Sequence, residues 1–277
     1  MTLQLTQEST SRSVKLPSGN VHYNVAGNGH PVILLHGSGP GATGWSNFGP
    51  NIVELVEQFT CYAVDMPGWG DSDPVTPEDR DHVRTALEFM DELGLGKAAF
   101  IGNSMGGATA IRFAVEHPER LSHLITMGAG ATGAKLFGAG GPTEGIKILQ
   151  KGYREPTIES MRELVDVMSY DSGELREERA RQRLDSLVKH PEHARNFLAG
   201  GRNPRDWPSE DRLAGIPVPT LLVHGRDDRV VHYENSLKLV TLIPDSRLVL
   251  LNRCGHWAQV EHAEEFNRLV ADFINNN

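Results

Sequence analysis

The chain has 277 residues, of which 39% are hydrophobic and 23% charged, a balance that supports a packed core and excludes a disordered chain. The formal net charge of −9 argues against nucleic acid or an anionic membrane as partner. No run reaches the roughly 20 apolar residues of a membrane helix, and the polar stretch Met1 to Val14 has no signal-peptide core. The two cysteines, Cys61 and Cys254, form neither a CxxC pair nor zinc spacing. A cytoplasmic protein is the expectation.

The elements alternate along the chain. A hairpin opens it, with strands Arg12–Leu16 and Val21–Val25 joined by a Pro17-Ser18-Gly19-Asn20 turn. The continuous apolar run Val32–Leu35 reads as a strand buried on both faces. Apolar spacing at Phe48, Ile52, Leu55 and Val56 predicts a helix over Trp45–Glu57. Strand Cys61–Val64, helix Asp79–Leu93 (stopped by Gly94), strand Ala98–Ile101, helix Ala108–Glu116 and strand Leu121–Met127 follow. The alternation then breaks. Gly128–Gly145 is glycine-rich, and Thr157–Phe197 is charged and helical in pattern. It resumes with strand Thr220–His224, helix Glu234–Leu242, strand Arg247–Leu251 and helix Ala263–Ile274. Such repetition predicts an α/β fold with a mostly parallel, doubly wound sheet. The helical interruption predicts an inserted cap over the strand ends where ligands bind. The expected division is core 1–133, cap 134–207 and core 208–277. There is no internal repeat.

Four segments carry chemistry, each at the end of a predicted strand. Gly102-Asn103-Ser104-Met105-Gly106 fits G-x-S-x-G between a strand and a helix. A nucleophilic serine needs a sharp turn that lifts its Oγ off the sheet edge, and glycines two residues either side give it room. The amide of Met105, at the start of the following helix, can stabilise an oxyanion. His36-Gly37-Ser38-Gly39-Pro40-Gly41 matches the HG loop that supplies a second oxyanion amide, that of Ser38. Gly225-Arg226-Asp227-Asp228 offers an acid to orient an imidazole, and its two neighbouring aspartates compete for the role. Cys254-Gly255-His256-Trp257 places one of 12 histidines after the last strand. The order Ser, Asp, His is that of α/β-hydrolases and differs from other serine-hydrolase folds. His190-x-x-His193 has metal-like spacing, but Pro191 interrupts it and no third ligand is evident, so both are expected on the surface. Cys254 is expected to be a small buried residue.

The resemblance goes further than these four segments. His36 to Phe48, Asp65-Met66-Pro67-Gly68-Trp69-Gly70-Asp71-Ser72-Asp73, Gly102 to Gly107 and Cys254 to His262 resemble the meta-cleavage product hydrolases, carbon–carbon bond hydrolases of aromatic degradation. Pro142 to Lys147 resembles the phenylpropionate-pathway members in particular. General esterases share the triad but not the GPGxxGWxNF run or an Asn directly before the serine. The resemblance implies an α/β-hydrolase fold and the hydrolysis of the C5–C6 bond of a 2-hydroxy-6-oxo-hexa-2,4-dienoate to 2-hydroxypenta-2,4-dienoate and a carboxylic acid. It implies Ser104 as nucleophile, His256 as base, Asp228 rather than Asp227 as the orienting acid, and Ser38 and Met105 as oxyanion amides. It also implies that Asn47, Asn103, Arg183 and Trp257, with a backbone contact at Gly39, hold the dienoate end. An Arg fork suits a carboxylate bound through two bonds. Met168 and Val230 stand where relatives carry phenylalanine, and His232 where they carry proline, so a reshaped pocket for the C6 group is expected. A homo-oligomer, dimer or higher, is implied, with no metal and no organic cofactor. A carboxylesterase or a hydrolase-derived small-molecule receptor are the competing readings.

Overall fold

The structure is a computed structural model that describes residues 5–131, 135–138, 141–200 and 207–277. A short helix, α1 (Gln7–Thr10), precedes a hairpin of β1 (Ser11–Leu16) and β2 (Gly19–Ala26). Leu16 pairs with Gly19, so the expected four-residue turn contracts to Pro17-Ser18. β3 (His30–Leu35), α2 (Gly44–Leu55), β4 (Phe59–Val64), α3 (His82–Glu92), β5 (Ala98–Asn103), α4 (Met105–Glu116) and β6 (Leu121–Met127) complete the first half. The second half of the core contains α9 (Glu210–Ala214), β7 (Thr220–Gly225), α10 (Glu234–Leu242), β8 (Ser246–Leu251), α11 (Ala258–Glu261) and α12 (Ala263–Asn276), after four helices between them: α5 (Glu144–Arg154), α6 (Ile158–Met168), α7 (Leu175–Lys189) and α8 (Pro191–Ala199).

Eight strands form one sheet in the order β1-β2-β4-β3-β5-β6-β7-β8. The first two pairings are antiparallel and the remainder parallel. The apolar runs of the parallel strands are explained by burial on both sides. Ile33 and Leu35 enter one core cluster with Phe89, Phe100 and Phe113, and Val32 and Leu34 enter another with Phe48, Ile125 and Phe266. Two helix starts differ from the expectation. α3 begins three residues late, at His82, because Asp81 accepts the Arg84 amide and caps it there. α4 begins three residues early, at Met105, because the elbow turns straight into it.

The expected single charged helical run, Thr157–Phe197, is three helices. Thr157 caps α6 with a reciprocal Ser160 bond. Pro191 opens α8, where its missing N–H costs nothing. The limit expected at residue 134 lies outside the described residues. α5 to α8 share an apolar cluster (Leu149, Tyr153, Met161, Leu164, Met168, Ala180, Leu187) that also contains Val230 and Trp257 of the core.

Polar contacts fasten these helices to the core. Pro50 sits inside α2 and cannot donate to the Ser46 carbonyl. That carbonyl accepts from Arg179 Nη1 of α7 instead, at 3.2 Å. His193 is not on the surface as expected but 4% exposed, with its Nε2 bonded to the Gly70 carbonyl. His190 and Lys189 both bond the adjacent Asp71. The helical period of a polar segment cannot report that a core loop covers one of its histidines. His190, Glu192 and His193 do bring three donor atoms within 4.8 Å of one another, so Glu192 is a third candidate donor beside the two histidines. Both rings nevertheless already serve the Gly70–Asp71 loop, as a clasp. Among the described residues, no helix is long and apolar enough to cross a membrane.

Candidate active site

The parallel register brings the ends of β3, β5, β6, β7 and β8 to one edge. Leu35 pairs with Gly102, Asn103 with Met127, and Gly225 with Leu251. The loops that follow β3, β5, β7 and β8 carry the four segments singled out above.

Ser104 occupies the tip of the elbow at φ 53°, ψ −111°, a conformation L side chains rarely adopt. Its amide bonds the Met127 carbonyl at 2.8 Å, which holds the turn against β6. The flanking glycines are demanded by close approach. A Cβ on Gly102 would lie 2.4 Å from the Gly106 backbone, and one on Gly106 would lie 2.0 Å from the Leu35 carbonyl oxygen. Gly106→Ala is therefore expected to destabilise the protein by about 1–3 kcal/mol. Thermal melting should show a loss of several degrees, and an unchanged midpoint would mean that β3 and the elbow can separate freely.

Asp228 is buried and all its acceptor directions are used. Oδ1 accepts from the amides of Val230 and Val231, at 2.7 and 2.9 Å, and Oδ2 accepts from His256 Nδ1 at 2.7 Å and His224 Nε2 at 3.1 Å. Burial alone would favour its neutral form, but the two imidazoles outweigh that and hold the carboxyl well below the usual range. His256 meets this aspartate and not Asp227, whose amide bonds the Cys254 carbonyl. With Nδ1 engaged, His256 Nε2 has no hydrogen-bond partner among the described residues, and the ring lines the same pocket as Ser104. The His256 amide is held by the Met168 carbonyl at 2.7 Å, so α6 helps to position it.

His224 was not anticipated, because it reads as the last apolar-face residue of a strand. It is fully buried, takes a bond from Ser236 Oγ on Nδ1 at 2.7 Å and donates from Nε2 to Asp228 and to the Val231 carbonyl. Both acceptors on Nε2 assign its tautomer. A polar residue in a run of buried strand positions was the available signal.

A narrow pocket is lined by Gly37, Ser38, Gly39, Asn47, Asn103, Ser104, Leu149, Met168, Arg183, His256 and Trp257. Nearly all the expected site residues thus converge. Val230 does not line it and packs instead in the apolar cluster beneath the four helices, and Leu149 of α5 takes an unexpected place in the wall. Met105 opens α4, so its N–H has no intrahelical acceptor. Asn103 donates to the His256 carbonyl at 3.1 Å while its Oδ1 is buried without a partner. Asn47 donates to the Thr43 carbonyl at 3.0 Å.

Arg183, like His193, is buried where its own helix is charged. It lies in the charged helix α7 yet is 4% exposed. Its guanidinium is 4.6 Å above the Trp257 ring and donates to the Pro40 carbonyl at 3.1 Å. No carboxylate pairs with it among the described residues. Burial, with the nearby Arg179, pushes its pKa down to about 10. Both cysteines are buried and free, and burial pushes the Cys61 thiol up to about 12, outside the range of a reactive thiolate.

A serine on a strained strand-to-helix elbow, beside an imidazole backed by a buried carboxylate on a doubly wound sheet, defines a serine hydrolase of the α/β-hydrolase class. A model of the alpha/beta hydrolase family matches residues 32–269. The chain is 44% identical to the 2-hydroxy-6-oxononadienedioate/2-hydroxy-6-oxononatrienedioate hydrolase 2 of Pseudomonas putida, covering 99% of each chain. It is 43% identical to the 2-hydroxy-6-oxo-6-phenylhexa-2,4-dienoate hydrolase of Comamonas testosteroni, covering 98% of each. The solved meta-cleavage product hydrolase of Pseudomonas fluorescens IP01 superposes with a TM-score of 0.85 at 34% identity, over 95% of this chain and 97% of that one. The protein belongs to the alpha/beta hydrolase family and, within it, to the meta-cleavage product hydrolases.

Proposed function

We propose that the protein hydrolyses the C5–C6 bond of a 2-hydroxy-6-oxo-hexa-2,4-dienoate, releasing 2-hydroxypenta-2,4-dienoate and a carboxylic acid. The observation that carries this reading is Arg183, a buried guanidinium without a carboxylate partner that lines the pocket with Ser104. An unpaired buried charge costs several kcal/mol, and an ester hydrolase has no use for it. A dienoate supplies the missing anion.

Carbon is a poor leaving group, so the dienol is first ketonised. The proton of the 2-hydroxyl leaves and C5 gains one, giving a 2,6-dioxo acid. Arg183 receives the C1 carboxylate and C2 oxygen through its fork, with Asn47 and Asn103 alongside. Ser104 Oγ then attacks the C6 ketone while His256 Nε2 takes its proton, and Asp228 holds the imidazole in the productive tautomer. The C6 oxyanion is met by the amides of Ser38 and Met105. The C5–C6 bond breaks and its electron pair passes through the conjugated chain to the C2 oxygen, beside the guanidinium. Water, activated by His256, clears the acyl group from Ser104. Trp257 walls the dienoate, and Met168 and Leu149 bound the C6 group. Serine chemistry with preorganised donors requires no metal or organic cofactor in this scheme. By analogy with the family the active form is a homo-oligomer, dimer or higher.

The test is absorbance-monitored turnover of 6-phenyl and 6-alkyl dienoates, which are coloured, beside a simple aryl ester. The reading expects fast bleaching of at least one dienoate. A protein that cleaves the ester and leaves every dienoate intact is an esterase.

A further inference from the structure

The oxyanion loop is held by two separate devices. On the core side, His36 Nε2 accepts the Met66 amide at 2.9 Å, which leaves Nδ1 to donate to the Gly37 carbonyl at 2.8 Å. The Gly37 carbonyl and the Ser38 N–H belong to one peptide plane, so His36 sets the direction of the Ser38 amide.

The next peptide plane is held from the other side, by α5. Tyr153 is 3% exposed, and its hydroxyl donates to the Ser38 carbonyl at 2.8 Å across 115 residues of chain. Trp69 Nε1 donates to that same hydroxyl at 2.8 Å. An indole N–H can only donate, so the phenol proton is committed to Ser38. Burial pushes the phenol pKa up and keeps that proton in place. The Tyr153 ring is fixed by stacking on Phe197 of α8, with centroids 3.9 Å apart and 16° between planes. Trp69 packs edgewise on both Phe197 and His36.

The Ser38 carbonyl shares its plane with the Gly39 N–H, and the two point in opposite directions. The carbonyl is drawn toward Tyr153, which turns the Gly39 N–H the opposite way. Gly39 lines the pocket, and its N–H has no acceptor among the described residues. A Cβ on Gly39 would lie 2.9 Å from Arg183 Nη1, so the guanidinium packs against the Cα of this residue.

We infer that Tyr153, anchored by Trp69 and Phe197, is a positioning residue through which the helices above the sheet aim the Gly39 N–H at the oxygen of the dienolate, beside Arg183. This inference rests on the carbon–carbon hydrolase reading and adds to it a division of labour within one loop. His36 orients the donor for the C6 oxyanion, and Tyr153 orients a donor for the charge that arrives at the other end of the substrate.

The experiment is Tyr153→Phe in the full chain, assayed by stopped-flow on a 6-phenyl dienoate and on an aryl ester, with a thermal melt. Phenylalanine keeps the ring and its stack on Phe197 and removes only the hydroxyl. The ester reaction uses the Ser38 and Met105 amides but has no dienolate end. Loss of one aimed donor is expected to lower the ratio of dienoate to ester turnover about tenfold, through kcat more than KM. Trp69→Phe, which frees the phenol to rotate, should shift the ratio in the same direction by less. Equal loss of both reactions, or no loss in either, overturns the inference while leaving the carbon–carbon reading intact. Wild type that leaves the dienoate untouched overturns that reading and the assignment of Gly39 with it.

Discussion

Ser104→Ala is expected to bind the coloured dienoate with near wild-type affinity and to cleave it at least about 10⁴-fold more slowly. The magnitude follows from what the serine does alone. Removing the nucleophile of a triad costs about as much as removing the whole triad, because the members act as one unit, and the residual rate comes from the oxyanion donors and from binding. Alanine leaves the elbow to the Ser104 amide–Met127 carbonyl bond and to the packing of Gly102 and Gly106, so the pocket keeps its shape. The φ of 53° at this position is also no worse for alanine than for serine. Stopped-flow absorbance separates the outcomes. A rapid spectral change on mixing, followed by slow or absent bleaching, is the expected result. Bleaching within tenfold of wild type would mean that the bond is cut without attack by Ser104, for instance by water activated at His256.

Arg183→Met carries the second large effect, and its sign differs between two measurements. Truncating one partner of a buried, hydrogen-bonded charge pair costs about 2–5 kcal/mol, so kcat/KM on a dienoate should fall by about 30-fold to several thousand-fold. The free protein should behave differently. Arg183 is 4% exposed and, without substrate, has only the Pro40 carbonyl and the Trp257 ring for company. Replacing a buried charge with an apolar side chain of similar length is often neutral or stabilising. Methionine also preserves contact with the apolar cluster that contains Leu187 and Trp257. The melting temperature is therefore expected to hold or rise while activity collapses, the signature of a residue kept for its ligand at the expense of the fold. A midpoint that falls by several degrees with dienoate KM unchanged would instead make Arg183 a structural tie between α7 and the loop at Pro40.

The two variants probe opposite ends of one pocket. The Ser104 end is built by loops that leave one edge of the sheet. β5 and its elbow, the loop after β3 and the His256 loop after β8 all leave the same edge, and Asp228 is fixed there by four donors. The Arg183 end is contributed by α7, clasped to the core through Arg179, Lys189, His190 and His193. The pocket exists only when the two are brought together.

Much of this was legible in the amino-acid sequence. Short runs dominated by apolar residues located the parallel strands, because a strand buried on both faces carries few polar positions. The segments at Ser104, His256 and the HG loop were legible because each depends on local backbone: a turn sharp enough for the serine, a glycine where another chain passes closely, an amide at a helix start. What required the tertiary structure was every choice that depends on a distant element. Local residue types leave Asp227 and Asp228 equivalent; the family resemblance favours Asp228, and the direction of the His256 ring, 28 residues on, gives the physical reason. His224 looks like a strand residue until Asp228 folds back onto it. Arg183 and His193 lie in polar helices whose periodicity marks them as exposed, and each is buried by a loop from the first half of the chain. Tyr153 and Ser38 meet across 115 residues, and nothing in either neighbourhood announces the other. Periodicity records which face of its own element a residue occupies. Desolvation and hydrogen bonding are decided by what packs against that face, and that is a property of the assembled fold alone.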